Sequence, residues 1–200
     1  MQGDPDAVDD SFPEVGISAP FAFGLTVCIA GSFAGIFIAS PRGAEDDVIL
    51  LIASLVFAAG LILLSYIDLR TGLLPDLLTA PLGLFGLAVS FYSGNWMSAM
   101  TGGLVGYGLI AGLAAFWRAQ RGYEGIGLGD AKLLAACGLW VGVFALPFVL
   151  LVASGIGLVT AFIVSKKARR SSDQMAIPFG PFLAIGGWVA WCGLSFAFIY

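Results

Sequence analysis

Two aspartates stand out in a chain that is otherwise largely apolar, Asp68 in "LLSYIDLRTGLLPD" and Asp130 in "EGIGLGDAKLL". Each lies at the edge of a long apolar segment, where a charge costs free energy that chains avoid unless the charge has a function. Two carboxylates that approach within a few ångströms share a proton, because they cannot both ionise easily. One then activates a water as general base while the other hydrogen-bonds a scissile carbonyl. The pair therefore predicts aspartic-protease chemistry.

Each acid also has a purely structural interpretation. Asp68 could pair with Arg70 or cap a neighbouring helix, and Asp130 could be an N-cap or a first-turn acid that the helix dipole favours. A third acid, Asp76, directly follows Pro75 and is interpreted as a helix N-cap. An alternative assignment makes Asp76, rather than Asp68, the partner of Asp130.

Residues near Asp130 are further candidates for shaping the site or binding a substrate. Lys132 is expected to balance charge near Asp130 or to extend towards the lipid headgroups. Glu124 is a candidate too, although a solvated loop residue is the simpler interpretation. Gly127 and Gly129 of "GIGLGD" allow left-handed dihedrals and the close approach of an extended substrate chain. A merely flexible loop would show the same glycines.

The composition excludes several classes of function. The chain is 59% hydrophobic and 11% charged, whereas a soluble domain carries roughly a quarter charged residues. Histidine is absent, which removes Ser-His and Cys-His nucleophiles. Cys28, Cys137 and Cys192 stand singly, so neither a zinc site nor a disulfide framework is supported. We expect no metal and no cofactor, and no basic stripe indicates a nucleic-acid partner.

Apolar blocks long enough to cross a bilayer, which takes about 20 residues, divide most of the chain. They predict an all-α polytopic membrane protein, a bundle of about seven transmembrane helices over residues 18–200. Residues 1–17 carry five acids among the first fourteen positions and are predicted to form a disordered cytoplasmic tail. The candidate spans are 18–39, 48–67, 77–92, 98–117, 129–146, 148–165 and 180–199, with a tight turn near Pro147.

Basic residues between the spans predict the orientation. With connections on alternate sides, one face holds only Arg42. The opposite face holds Arg70, Arg118, Arg121, Lys166, Lys167, Arg169 and Arg170. Because basic residues are retained in the cytoplasm, this second face is predicted to be cytoplasmic, together with the N-terminus, Asp68 and Asp130.

Three segments, "YIDLRTGLLPDLLTAPL", "EGIGLGDAKLLAACGLWVG" and "AIPFGPFLAIGGW", resemble the signature regions of the type IV prepilin peptidases, in the same order and spacing. These are GxGD-type membrane aspartic proteases of bacterial inner membranes. The resemblance implies that Asp68 and Asp130 are the catalytic pair. We further expect "IPFGP" to shape the loop near the site, with Pro178 and Pro181 rigidifying it and Phe179 and Gly180 as further site-shaping candidates.

The resemblance implies cleavage of a basic leader from prepilins or pseudopilins at the cytoplasmic face, beside the substrate's hydrophobic segment. Long family members carry a zinc-binding segment with paired CxxC motifs, associated with N-methylation of the new terminus. This chain has no CxxC, so a peptidase-only form is expected. The competing interpretation is a small transporter or assembly factor that uses the paired aspartates for a cation or proton. A related GxGD protease acting on signal-peptide remnants is a further alternative.

Overall fold

The computed structural model describes residues 44–121, 127–168 and 178–197, which form α-helices joined by short connections. Within these ranges the prediction of an all-helical chain is confirmed, and the last six predicted spans each correspond to a helix. The helices are α1 (Ala44–Thr71), α2 (Asp76–Tyr92), α3 (Trp96–Arg121), α4 (Leu128–Val141), α5 (Leu146–Ala168) and α6 (Gly180–Ala197).

The connection between α4 and α5 lies earlier than the sequence suggested. We expected a tight turn near Pro147, but the chain turns at Gly142 and through a 3₁₀ segment, Val143–Ala145. Gly142 has φ +78°, a conformation that side chains disfavour, so it ends α4. Pro147 is the second residue of α5, where its missing N–H has no helical partner to lose.

In the described part of the chain, three segments are long and apolar enough to cross a membrane: Val48–Thr71, Trp96–Gln120 and Val143–Ile163. The helix Asp76–Tyr92 is apolar but shorter. α4 has 14 residues, or about 21 Å at 1.5 Å per residue, less than a hydrocarbon core of about 30 Å. The predicted span 18–39 lies outside the described residues, so a total of about seven spans stays a prediction.

α4 lies at the centre of the bundle, packed against α2, α3 and α6. It is antiparallel to α3, because Gly138 meets Gly102 while Leu134 meets Gly106. A side chain at Gly138 would collide with the carbonyl of Gly102, and one at Gly106 would lie 2.8 Å from the carbonyl oxygen of Leu134. Small residues at such positions let two backbones approach closely, as in many membrane helix pairs.

Aromatic rings fill the space between α1, α4 and α6. Phe57 stacks on Trp140 with ring centroids 4.4 Å apart, and Trp140 meets Trp191 edge-on at 5.2 Å. Both indole N–H groups donate hydrogen bonds: Trp140 to the carbonyl oxygen of Leu82 at 2.9 Å, and Trp191 to the hydroxyl of Ser54 at 3.0 Å. Burial is therefore achieved without leaving these donors unpaired.

The same contacts give the direction of the remaining helices. On α1 and α6, Ser54 meets Trp191 and Asp68 meets Gly180, so these two helices are antiparallel. α2 and α4 run parallel, since Asp76 and Lys132 meet near their beginnings, as do residues 82 and 140 further along. The end of α1 and the beginnings of α2, α4 and α6 therefore lie at one end of the bundle.

Candidate active site

The first carboxylate of the site belongs to Asp68, near the end of α1. It is only 5% exposed, in a helix whose last turn also carries Arg70. The backbone N–H of Gly180 donates a hydrogen bond to its Oδ2 at 3.0 Å. An unpaired buried carboxylate would be costly, and this bond to the first N–H of α6 offsets part of that cost.

Gly180 is the residue type that this contact requires. A Cβ atom at position 180 would lie 2.5 Å from Oδ2 of Asp68 and 3.0 Å from its Cγ, which is closer than such atoms can approach. Asp68 thus acts as an N-terminal cap for α6 across a distance of 112 residues in sequence. One of the two structural interpretations of Asp68, capping a neighbouring helix, describes this contact, whereas Arg70 lies over the ring of Tyr66.

The second carboxylate belongs to Asp130, in the first turn of α4. α4 begins after Gly127, whose carbonyl accepts a hydrogen bond from the Asp130 backbone N–H at 3.2 Å. The side chain is half-buried, and it lies close enough to Asp68 for the two carboxyl groups to interact electrostatically. Two acids from helices that are distant in sequence are thereby brought within electrostatic range of each other. The first-turn position that the sequence suggested for Asp130 is the one observed.

Lys132 pairs with Asp76 and not with the acid two residues before it. Its Nζ lies 2.6 Å from Oδ1 and 2.7 Å from Oδ2 of Asp76. The prediction that Asp76 is the N-cap of α2 is wrong: Pro75 occupies that position without a side-chain cap, and Asp76 is the first residue of the helix. The Asp76 carboxylate faces α4, where it pairs with the Lys132 ammonium group.

The glycines at the beginning of α4 and of α6 make different contacts near the site. Gly129 lies against Leu74, because a Cβ atom added at position 129 would be 3.1 Å from the Leu74 Cβ. Gly127 is exposed and lies beside Asp130. Glu124 lies outside the described residues. At the beginning of α6, the Gly180 N–H contacts Asp68.

The two residues before Gly180 are half-buried and support the start of α6. The carbonyl of Phe179 accepts hydrogen bonds from the N–H groups of Phe182 and Leu183, at 3.1 and 3.2 Å. The Phe179 ring also lies close to Gly157 of α5. Pro178 precedes this turn. In the described structure Phe179 therefore contacts α5 and the start of α6, and neither residue hydrogen-bonds to a carboxylate of the site.

Sequence reasoning missed the pairing of Lys132 with Asp76. One signal could have found it: the alternation of spans that put Asp68 and Asp130 on one side also puts Asp76 and Lys132 there. That alternation does not say which helices are neighbours. The parallel packing of α2 against α4 supplies this information.

An all-helical membrane protein with two acids converging at one end of its bundle is the class that the fold and the site define. The model of the type IV leader peptidase family matches residues 55–162, a stretch that contains Asp68 and Asp130. The chain therefore belongs to the type IV leader peptidase family, as its three motifs indicated. No solved structure gives a significant match.

Curated relatives support the same family. The chain is 40% identical over 138 residues to a prepilin leader peptidase/N-methyltransferase of Burkholderia pseudomallei, covering 68% of this chain and 44% of that protein. It is 41% identical over 147 residues to the protein of the same name from Aeromonas hydrophila, with 70% and 48% covered. For that of Pseudomonas aeruginosa the identity is 37% over 142 residues, with 69% and 48% covered. The chain spans just under half the length of these relatives.

Proposed function

We propose that this chain is a membrane aspartic endopeptidase that cleaves the leader peptide from type IV prepilins or pseudopilins. The observation that carries the proposal is that Asp68, near the end of α1, and Asp130, in the first turn of α4, lie at the same end of an apolar bundle and within electrostatic range of each other. The names of the relatives supply the substrate class, and the carboxylates supply a chemistry that needs neither histidine nor a bound cofactor.

In this mechanism the two carboxyl groups hold one proton between them. The ionised group takes a proton from a water molecule while the water oxygen attacks the scissile carbonyl carbon, and the protonated group donates a hydrogen bond to the carbonyl oxygen. The tetrahedral intermediate then collapses as the C–N bond breaks and the departing amine takes up a proton. Both groups must therefore be held in fixed relation to one another and to the substrate.

The neighbours of the pair have distinct roles in this proposal. The Gly180 N–H orients the carboxylate of Asp68, since it binds Oδ2 from the rigid start of α6. Gly127 is exposed next to Asp130 and lacks a side chain, so an extended substrate backbone can approach there. The substrate's hydrophobic segment would lie among the helices, with its leader outside them.

The proposed location is the bacterial inner membrane, with both acids at its cytoplasmic face. Support comes from the distribution of basic residues, seven of which fall on one predicted face against one on the other. Asp68 precedes Arg70 by two residues, so the site lies at the same end as the basic residues. That is the side on which a basic leader is retained.

The test is cleavage of a purified prepilin by the purified chain in detergent or vesicles, read as the mass of the product's new N-terminus. We expect one cut between the leader and the hydrophobic segment. A secretory signal peptide serves as the comparison substrate and should stay intact. If the prepilin stays full-length while the protein is folded, the peptidase proposal fails and the transporter interpretation gains. Cleavage of the signal peptide alone would indicate another kind of GxGD protease.

A further inference from the structure

The ion pair of Lys132 with Asp76 lies beside the candidate site but outside the two-aspartate chemistry. It joins the fifth residue of α4 to the first residue of α2, and the ammonium contacts both carboxylate oxygens, at 2.6 and 2.7 Å. The side chain of Lys132 is 40% exposed and that of Asp76 is 67% exposed. Asp130, the proposed catalytic acid, is two residues from Lys132 on the same helix.

Helix geometry separates the two side chains of α4. Successive residues turn by about 100°, so positions 130 and 132 point about 200° apart around the axis. Lys132 faces Asp76 on α2, whereas Asp130 lies within the electrostatic range of Asp68 on α1. The lysine therefore holds α4 from the side opposite the proposed reaction, and its charge is taken up by Asp76.

A second contact reinforces the attachment of this turn. Gly129 lies against Leu74, where a Cβ would be 3.1 Å from the Leu74 Cβ and 3.4 Å from its Cδ1. The backbone at the start of α4 thus lies directly on the segment between α1 and α2. An apolar contact and an ion pair, three residues apart on α4, fix the same turn to neighbouring parts of the chain.

We infer that Lys132 and Asp76 are a positioning pair for the reaction: they fasten the beginning of α4 to α2 and so hold Asp130 in register with Asp68. The inference rests on the proposed peptidase function. Exposed ion pairs add little to global stability. A catalytic group displaced by about 1 Å can nevertheless cost about 100-fold in rate. The effect of losing the pair is therefore expected in turnover and not in folding.

The experiment measures prepilin cleavage by Asp76→Asn, Lys132→Gln, Lys132→Arg and the charge exchange Asp76→Lys with Lys132→Asp. Each of the first two should lower kcat by about tenfold or more while KM changes little, since a displaced catalytic acid slows the chemical step. Lys132→Arg keeps the cation and should retain most of the rate. The charge exchange should recover much of what the single changes lose, because the two positions are coupled.

A second readout needs no substrate. Hydrogen–deuterium exchange of the α4 amides should be faster in Asp76→Asn and in Lys132→Gln than in the unaltered protein. In the charge exchange the rates should return towards those of the unaltered protein. The amides of α6, which the pair does not touch, are the internal reference. Faster exchange confined to α4 would agree with a local loss of attachment.

Each other outcome counts against a specific part of the reasoning. Unchanged kcat in both single variants would overturn the positioning pair, as would a rise in KM alone, which would assign the pair to substrate binding. Lack of recovery in both the charge exchange and Lys132→Arg would also overturn it. If the unaltered protein cleaves no prepilin, the proposed function fails. Amide exchange then decides separately, since equal α4 rates in all variants would refute the attachment.

Discussion

Gly138 and Gly180 each lie where another part of the chain occupies the space that a side chain would need, but the neighbour differs. At Gly138, in the middle of α4, the neighbour is the backbone of Gly102 on α3. At Gly180, at the beginning of α6, the neighbour is the carboxylate of Asp68. The first contact holds two helices together, whereas the second holds the carboxylate of Asp68, which we propose to be reactive. A methyl group added at either position should therefore affect different properties of the protein.

The regions around the two glycines differ in the same way. The side chains next to Gly138 along α4, such as Cys137 and Trp140, belong to the apolar core, and the Trp140 indole N–H finds a partner within it. Around Gly180 a buried acid, a half-buried acid and an exposed ion pair lie at one end of the bundle. The interior determines whether the bundle forms. Its polar end determines what the bundle can do.

The largest expected effect comes from removing the carboxyl groups at the polar end. Asp68→Asn and Asp130→Asn are nearly isosteric, and the amide oxygen of asparagine at position 68 can still accept the hydrogen bond from the Gly180 N–H. Each change should lower prepilin cleavage by about 100- to 10,000-fold, the range that general acid–base groups contribute. The double variant should be little worse, since the two groups act as one unit. Cleavage rates and the midpoint of thermal unfolding, measured on the same samples, check this.

Normal cleavage by either single variant would remove that residue from the pair. A result in which Asp68→Asn cleaves and Asp76→Asn does not would move the partnership with Asp130 to Asp76. An unfolding midpoint of Asp68→Asn far below that of the unaltered protein would instead show that the charge of this carboxylate stabilises the fold.

A smaller effect, on stability and not on chemistry, is expected from Gly138→Ala. The added methyl collides with a backbone carbonyl, which cannot rotate away as a side chain can, so α3 and α4 must move apart. Overpacking of this kind costs typically about 1–3 kcal/mol. Thermal unfolding in detergent measures it, with kcat at low temperature expected to stay close to normal.

The matched control for that change is Gly112→Ala, on α3, where no described atom lies within 4 Å of the new methyl. Alanine favours a helix more than glycine does, so this variant should be unchanged or slightly stabilised. Equal midpoints for Gly112→Ala and Gly138→Ala would show that the close approach of α3 to α4 carries no cost.

The smallest effect is expected from Gly180→Ala. Here the methyl meets a side chain, so Asp68 can turn aside and the fold survives with its carboxylate misplaced. We expect kcat to fall by about tenfold, part of the loss of about 100-fold that a displacement of about 1 Å can cause. Steady-state kinetics with prepilin measure kcat and KM separately.

Gly193→Ala is the control on the same helix, because no described atom lies within 4 Å of its added methyl. It should cleave like the unaltered protein. If Gly180→Ala does so too, the contact between Gly180 and Asp68 does not orient the carboxylate for reaction. If Gly180→Ala lowers the unfolding midpoint as much as Gly138→Ala, the two glycines have the same role.

The sequence by itself determined the parts of this protein that depend on local composition. Apolar blocks of helix length predicted all six described helices, because a chain in lipid must satisfy its backbone hydrogen bonds within each helix. Alternation of those helices placed Asp68 and Asp130 at one end, and the motifs around them identified the family. These conclusions need only the order of residues along the chain.

Only the tertiary structure decided which side chains meet. Asp68 binds the N–H of a residue 112 positions away in sequence. Lys132 binds Asp76, 56 positions away, and not Asp130, which is two positions away. The sequence interpretation of Asp76 as an N-cap was wrong for a local reason, since α2 begins at Asp76 itself with Pro75 as its N-cap. The ion partner of Asp76, however, follows from the packing of α2 against α4. A local pattern describes what a residue can do within its own helix, whereas its actual partner depends on which helices pack together and at what rotation about their axes.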